Sequence, residues 1–374
     1  MRLTHAKLVL ADQVVDASLT IEDGVIAGID ESGCGGEINC EGDYVIPGLI
    51  DLHTDSLERH YMPRPNVDWP PVSAAVIHDG NCVGHGVTTV FDSLSIGVGG
   101  ADSEREAMLF PLLDGLAEAG RLGLLGADHR LHLRCEVTDD KLMDVLGRLV
   151  DRDGVSLVSL MDHTPGDRQY PDIEKYRANR KAWMDESEEE MEQSIADMLR
   201  RSREVAPSMR EAVVRVAGER GLPIASHDDA TQSHIEEAKT LGVTLAEFPT
   251  TTDAAKAAAE HGMSVIMGAP NLVRGGSYSG NVGAADVHAA GLLDILASDY
   301  VSRSMLEGAF QLHLNHMASL PEAINTVTRS PAQSVGMEDR GEIAAGKRAD
   351  VLRVRMVDGH PHVRSVWVAG DRVR

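Results

Sequence analysis

Apolar positions follow two regimes along the chain. Near both ends, apolar and polar residues alternate at every second position, the pattern of half-buried strands. KLVLA, VVDASLTIEDG and VIAGIDESG open the chain, punctuated by Gly24, Gly28, Gly33, Gly35 and Gly36. GEIAAGKRADVLRVRM and VRSVWVAGDRVR close it in the same style. The centre is different. Short apolar runs at 44–52, 87–92, 130–137, 155–162, 222–226, 243–248, 263–269 and 292–298 predict eight strands. Helical patterns at 103–120, 139–150, 207–220, 231–241, 252–261 and 302–317 lie between them. Eight β units alternating with helices predict an α/β fold, a TIM-type (β/α)₈ barrel spanning 48–334. The two β ends, 1–47 and 335–374, are expected to meet as one small split β-sandwich.

One segment breaks the rhythm. Residues 168–205 are polar and helix-rich and follow the fourth predicted strand. They read either as a solvated helical hairpin or as an arm over the barrel mouth, carrying Arg168, Lys175, Arg177 and Arg180.

Composition adds limits. The 374 residues are 43% hydrophobic and 25% charged, enough to bury a large core. A formal net charge of −24 argues against binding nucleic acid or anionic membrane. It leaves room for a phosphorylated small substrate, which needs only local positive charge or a metal. The four cysteines, Cys34, Cys40, Cys82 and Cys135, form no CxxC pair, and Cys135 falls inside an apolar strand pattern. MRLTHAKLVLADQ carries no long apolar stretch of a secretion signal, and no run approaches the ~18 apolar residues of a membrane span. A cytoplasmic location is expected. Self-association into a homo-oligomer stays open.

In a (β/α)₈ barrel, chemistry sits at the C-terminal ends of the strands. Here those ends are rich in carboxylates and imidazoles. The first strand ends in His53-Thr54-Asp55, the third carries Glu136, and the fourth ends in Asp162-His163. The fifth ends in His227-Asp228-Asp229, the sixth carries Glu247, and the eighth ends in Asp299. Alternation along an extended chain points His53 and Asp55 the same way. Such a set suits one or two divalent ions, Zn²⁺ first, with Mn²⁺ or Fe²⁺ as alternatives. His53, Asp55, Glu136, His227, Glu247 and Asp299 are the candidate ligands. His163 and Glu247 read either as ligands or as groups that brace them. Asp228 and Asp229 read as bracing or substrate-side groups. Glu58, Arg59 and His60 lie past the first strand, where Glu58 and His60 are expected to contact substrate or brace the site.

A second pattern concerns anions. NLVRGGSYSGNVGAADVHAAG follows the seventh strand and ends at a helix, with Asn281 a candidate cap. Gly275, Gly276 and Gly280 let backbone N–H groups come close to a ligand. Arg274, Ser277, Ser279 and Asn281 offer donors to phosphate oxygens, with Arg168 on the preceding arm as a further contact. An ordinary βα loop is the alternative, and the run is neither a Walker motif nor a dinucleotide fingerprint. Its place matters more, because barrel phosphate sites lie beside strands seven and eight.

PGLIDLHTD, the Asp of LASDY and the tail GEIAAGKRADVLRV resemble the amidohydrolase superfamily over essentially the whole chain. DLHTDSLERHYMPRP, HLRCEV, LMDHTPGDRQY, AEFPTT and GAPNLVRGGSYSGN resemble, more narrowly, the PhnM family of the carbon–phosphorus lyase pathway. That resemblance implies a metal-dependent diphosphatase releasing pyrophosphate from a small phosphorylated sugar phosphonate, α-D-ribose 1-methylphosphonate 5-triphosphate. Departures from the superfamily pattern are equally informative. Asp55 stands where a second His is usual, and Glu247 stands where a His is common. None of the seven lysines falls at a strand end, so no carboxylated lysine bridges two metals, and Glu136 becomes the candidate bridge. In the implied mechanism Asp299 takes the proton of the attacking water, and His163 or an arginine of the arm assists the leaving group. Two other readings remain: a hydrolase or deaminase of cyclic amides or nucleobases, and a non-catalytic pathway subunit.

Overall fold

A computed structural model of the chain describes residues 1–30, 37–65, 67–97, 103–170, 172–183, 187–277 and 279–374. Cys34, Gly33, Gly35 and Gly36 lie outside the described residues, as do residues 171 and 184–186 of the polar insertion. The opening and closing segments form β1 (Arg2–Val9), β2 (Val14–Glu22), β3 (Val25–Asp30), β4 (Ile38–Asn39) and β5 (Tyr44–Pro47). The eight central strands are β6 (Leu49–Thr54), β7 (Val87–Ile96), β8 (Asp128–Glu136), β9 (Val155–Met161), β10 (Ile224–His227), β11 (Leu245–Glu247), β12 (Ser264–Gly268) and β13 (Ile295–Ala297). The chain ends in β14 (Val351–Val357), β15 (His360–Val368) and β16 (Asp371–Arg372).

β6 to β13 pair in sequence order, all parallel, with helices on the connections. Backbone bonds close the ring: Asp299 N donates to His53 O at 2.9 Å, and Asp55 N to Asp299 O at 3.0 Å. This is the expected (β/α)₈ barrel. Ile50, Leu52, Phe91, Leu157, Leu245 and Ile266 pack together in its lumen, so the barrel is filled rather than hollow.

Both chain ends join one eight-stranded sheet, in which β14 pairs with β5 and β5 with β1. Leu3, Leu8, Leu19, Ile26, Val351 and Trp367 form a core of their own, to which, among the described residues, no helix contributes. The sheet therefore buries its apolar face by folding on itself, which is what the sandwich expectation required.

The predicted strand 44–52 is two strands, broken at Gly48. Its first half belongs to the terminal sheet and its second to the barrel. A side-chain carbon at Gly48 would sit 2.1 Å from Thr88 Oγ1, so glycine lets the chain cross against β7 there. Two helices on the first connection, Ser56–Tyr61 and Pro71–Gly84, had no counterpart in the sequence reading. His78, Asp79 and Cys82 of the second are buried, so its inward face is partly polar and breaks the apolar period. The insertion forms the helices Ile173–Trp183 and Glu188–Glu204, the second opened by a Ser187–Glu190 capping box. Among the described residues, no helix is long and apolar enough to cross a membrane.

Candidate metal centre and anion loop

The strand ends converge at one mouth. His53 Nδ1 donates to Glu247 Oε1 at 3.1 Å, and His227 Nδ1 donates to Glu247 Oε2 at 3.2 Å. One buried carboxylate thus bridges two imidazoles and fixes their rings, which lie nearly parallel with centroids 5.6 Å apart. Phe248 stands edge-on to both, at 4.9 and 5.5 Å. His132 joins from β8, with Nδ1 3.8 Å from Glu247 Oε1. Burial holds His227 and His132 down to about 3, and burial followed by the charge of Arg134 holds His53 well below the ordinary histidine value. All three are neutral at pH 7, the form whose nitrogen lone pair binds a metal.

A carboxylate group faces these rings. Asp228 Oδ2 lies 3.4 Å from His227 Nε2, while Asp55 Oδ1 and Asp228 Oδ2 are buried with no hydrogen-bond partner. Burial, then the charge of Asp55, pushes Asp299 up to about 7. Burial also raises Asp228 to about 7, against the pull of His163 and Arg134. Unpartnered carboxylates crowded beside neutral imidazoles are costly on their own. A divalent cation relieves that cost, and the donor set fits one. Atoms of His53, His132 and Glu247, and separately of His163, His227 and Asp228, lie within 4.8 Å of one another.

Backbone geometry sharpens the mouth. Asp228, Phe248 and Asp299 adopt left-handed conformations, with φ of 57°, 53° and 55°. Three such non-glycine residues just past neighbouring strand ends mark stored strain of the kind found at functional sites. Simple alternation is not what places His53. Ile50 and Leu52 face the lumen, so strict period two would turn His53 outward. A register irregularity between Asp51 and Thr54 resets the side chain toward the mouth.

The cavity at this cluster is lined by His53, Asp55, His227, Asp228 and Asp299. Arg274, Gly276, Ser277, Ser279 and Asn281 line it too. The anion loop and the metal cluster therefore share one space. Other sequence-selected residues fall elsewhere. Glu136 gives one oxygen to His163 Nδ1 at 2.8 Å and the other to Thr138 Oγ1 at 2.6 Å, and it does not line the cavity. It braces His163 instead of lying between metal ligands. Arg168 is buried and bound to Asp229 and Glu237, so its guanidinium is not free for substrate. Gly275 does not line the cavity; with φ of 80° it ends the short helix Ala269–Arg274, which occupies the start of the expected loop. Among the described residues, Asn281 caps no helix. Asn271 Oδ1 instead accepts from Ala284 N at 2.9 Å, at the start of the helix Ala284–Ala289. Glu58 and His60 sit on Ser56–Tyr61 away from the cavity, and the His60 ring lies 5.7 Å from that of His78. Tyr278 is outside the described residues.

Sequence reasoning missed His132, Arg134, Gln169, Asn271 and Tyr300. A signal existed for the first two. They share the parity of Glu136 on β8, so a residue selected at 136 implies its neighbours at 134 and 132. Gln169 and Tyr300 each follow a residue that was selected.

Comparison with known proteins agrees with this geometry. Residues 177–374 match the amidohydrolase family. An Escherichia coli (strain K12) protein, alpha-D-ribose 1-methylphosphonate 5-triphosphate diphosphatase, is 42% identical over 377 residues, covering 100% of both chains. The chain belongs to the amidohydrolase family. The narrower resemblance carried by LMDHTPGDRQY and its companion stretches is to that diphosphatase, matched from end to end. Among solved structures, 5-methylcytosine deaminase from Klebsiella pneumoniae aligns with a TM-score of 0.67 at 15% identity, covering 100% of this chain and 98% of that one. Dihydropyrimidinase from Brevibacillus agri NCHU1002 aligns with a TM-score of 0.61 at 14% identity, covering 100% and 94%. At such identities these two report the fold alone.

Proposed function

We propose that this chain is a metal-dependent diphosphatase of phosphonate catabolism, converting α-D-ribose 1-methylphosphonate 5-triphosphate and water to the 5-monophosphate and pyrophosphate. The full-length 42% identity to the Escherichia coli diphosphatase carries this reading. The shared cavity supports it, because a carboxylate–imidazole cluster faces a loop of Arg274, Gly276, Ser277 and Ser279 across one space. The deaminase and cyclic-amide readings rest on fold likeness and a short local sequence similarity, and an intact donor set argues against a non-catalytic subunit.

His53, Asp55, His227 and Asp299, with Asp228 beside them, would hold one or two divalent ions, zinc first. When bound, the metal supplies Lewis acidity and lowers the pKa of a water toward neutrality. Glu247 keeps His53 and His227 in register by accepting from both Nδ1 atoms. Asp299 takes the proton as the water oxygen bonds to the α-phosphorus. The bond from that phosphorus to the bridging oxygen of the β-phosphate breaks, and pyrophosphate leaves. His163 does not line the cavity; with Nδ1 held by Glu136 and its ring 5.9 Å from that of His227, it would brace the site rather than protonate the leaving group. Arg274 and the loop serines hold the outer phosphates.

The test is a substrate panel. Metal-loaded protein is incubated with the sugar triphosphate, and separately with hydantoins, dihydropyrimidines and cytosine. Equal amounts of pyrophosphate and 5-monophosphate, abolished by chelator and restored by Zn²⁺ or Mn²⁺, are expected. Ring opening or ammonia release without triphosphate turnover would overturn the assignment.

A further inference from the structure

β8 carries His132, Arg134 and Glu136 at alternate positions, all facing into the barrel. His132 and Glu136 find partners there: His132 Nδ1 meets Leu52 O at 3.1 Å, and Glu136 meets His163. Arg134 lines the cavity beside His53, Asp228 and Asp299. Its Nε is buried without a hydrogen-bond partner, and among the described residues its side chain makes no hydrogen bond or ion pair.

The fully buried arginines among the described residues are each partnered. Arg168 is held by Asp229, Arg210 by Asp162 at 2.6 Å, and Arg340 by Asp128 at 2.7 Å. Each of these enclosed guanidiniums has a carboxylate, as the cost of an unpaired buried charge demands. Around Arg134 the nearby carboxylates, Asp55, Asp228 and Asp299, are the ones a divalent ion would take. The charge left over is positive, it faces the cavity, and the partner it lacks is an anion from outside the chain.

We propose that Arg134 contacts the substrate and grips the phosphoryl group under attack, selecting an anionic tetrahedral substrate over a neutral planar amide. The inference rests on the diphosphatase reading above and assigns it a specificity residue. A guanidinium offers parallel N–H donors to two non-bridging oxygens, where negative charge collects as the bond to the leaving group breaks. Arg274 lines the same cavity, so a second guanidinium is available to the outer phosphates. Arg134 also acts on its surroundings, opposing the rise of Asp228 and Asp299 that burial causes. A neutral amide would leave this charge unpaired, which penalises the wrong substrate as well as favouring the right one.

The experiment uses metal-loaded Asp299→Asn protein, in which turnover is expected to be slowed, titrated calorimetrically with inorganic phosphate. The same titration is run on Asp299→Asn/Arg134→Gln and Asp299→Asn/Arg134→Lys, with metal content measured before and after. Undiminished metal content with phosphate binding weakened tenfold or more in the Gln variant, and a smaller loss in the Lys variant, is the expected result. Equal phosphate affinity in all three would overturn the proposal. Loss of metal with unchanged phosphate affinity at the loaded sites would overturn it too, because Arg134 would then only balance ligand charge. Should the Gln variant fail to fold, the Lys variant decides: it keeps the charge but not the paired donors, so unchanged affinity there sinks the paired grip. Wild-type turnover of the sugar triphosphate is measured in parallel. Its absence alongside Arg134-dependent phosphate binding would retire the substrate and keep the anion contact.

Discussion

Asp299 joins several constraints in one side chain. Its backbone closes the barrel against His53 and Asp55, its φ is left-handed, and its carboxyl is raised by burial and by Asp55. Replacing it with Asn keeps the shape and removes the proposed proton acceptor. We expect Asp299→Asn to fold and bind metal while turnover falls by about 10²–10⁴-fold. Metal analysis and phosphorus NMR of the products check this together, and near-normal turnover would remove Asp299 from the base role. At this scale the sequence showed carboxylates and imidazoles at apolar strand ends, and the structure brings several of them to one cavity. The sequence did not show their pairing. Glu136 and Glu247 look alike in sequence, yet Glu247 lies between two imidazoles and Glu136 braces His163. Arg168 looked free on a polar segment and proved buried against Asp229. Such outcomes depend on which side chains meet across the barrel, which no local pattern encodes.

Elements were legible where their apolar period was clean and hidden where polar groups interrupt it. The buried face of Pro71–Gly84 meets the barrel through such groups. His129 Nδ1 donates to Asp92 at 2.8 Å and Nε2 to Asp79 at 3.2 Å, while His78 Nε2 meets Asp92 at 2.7 Å. Burial works against charge on His129, but the paired carboxylates overcome it and raise the imidazole to about 9. A raised value means that the stabilisation is complete below the unfolded value near 6.5 and is lost as pH climbs through about 9. The clamp should therefore weaken by roughly 3 kcal/mol between pH 6.5 and 10. Urea unfolding of wild type and His129→Gln across that range checks it. The wild type should lose more stability than the variant, and parallel curves would show that His129 carries no linked proton. On the acid side Asp92 and Asp79, both lowered overall as their histidine bonds outweigh burial, lose their contribution as pH falls below the ordinary aspartate value.

The joint between β5 and β6 belongs to the same scale. An alanine at Gly48 would bring its Cβ within 2.8 Å of Thr88 Cβ, an atom close to the backbone that cannot swing away. Gly48→Ala should cost about 1–3 kcal/mol by forcing β6 and β7 apart. An unchanged urea midpoint would contradict that account of the crossing.

Over the whole molecule, one sheet from both chain ends fastens to a closed parallel barrel, and the barrel gathers residues from 53 to 299 at one mouth. Strand count and order were legible because eight apolar runs alternate with helical ones. The self-folded terminal sheet was legible because both ends share period two. What stayed out of reach was the exact face each residue takes at a strand end. The irregularity at Asp51–Thr54 shows why: one shift in register reverses inside and outside without changing composition. In the proposed reaction, water attacks the α-phosphorus at the mouth where the candidate metal ligands gather. Its most direct test is turnover of the sugar triphosphate by metal-loaded protein in ¹⁸O-water, followed by phosphorus NMR. One ¹⁸O in the 5-monophosphate and none in pyrophosphate is the predicted result, whereas label in pyrophosphate, or intact triphosphate beside fully loaded protein, would contradict it.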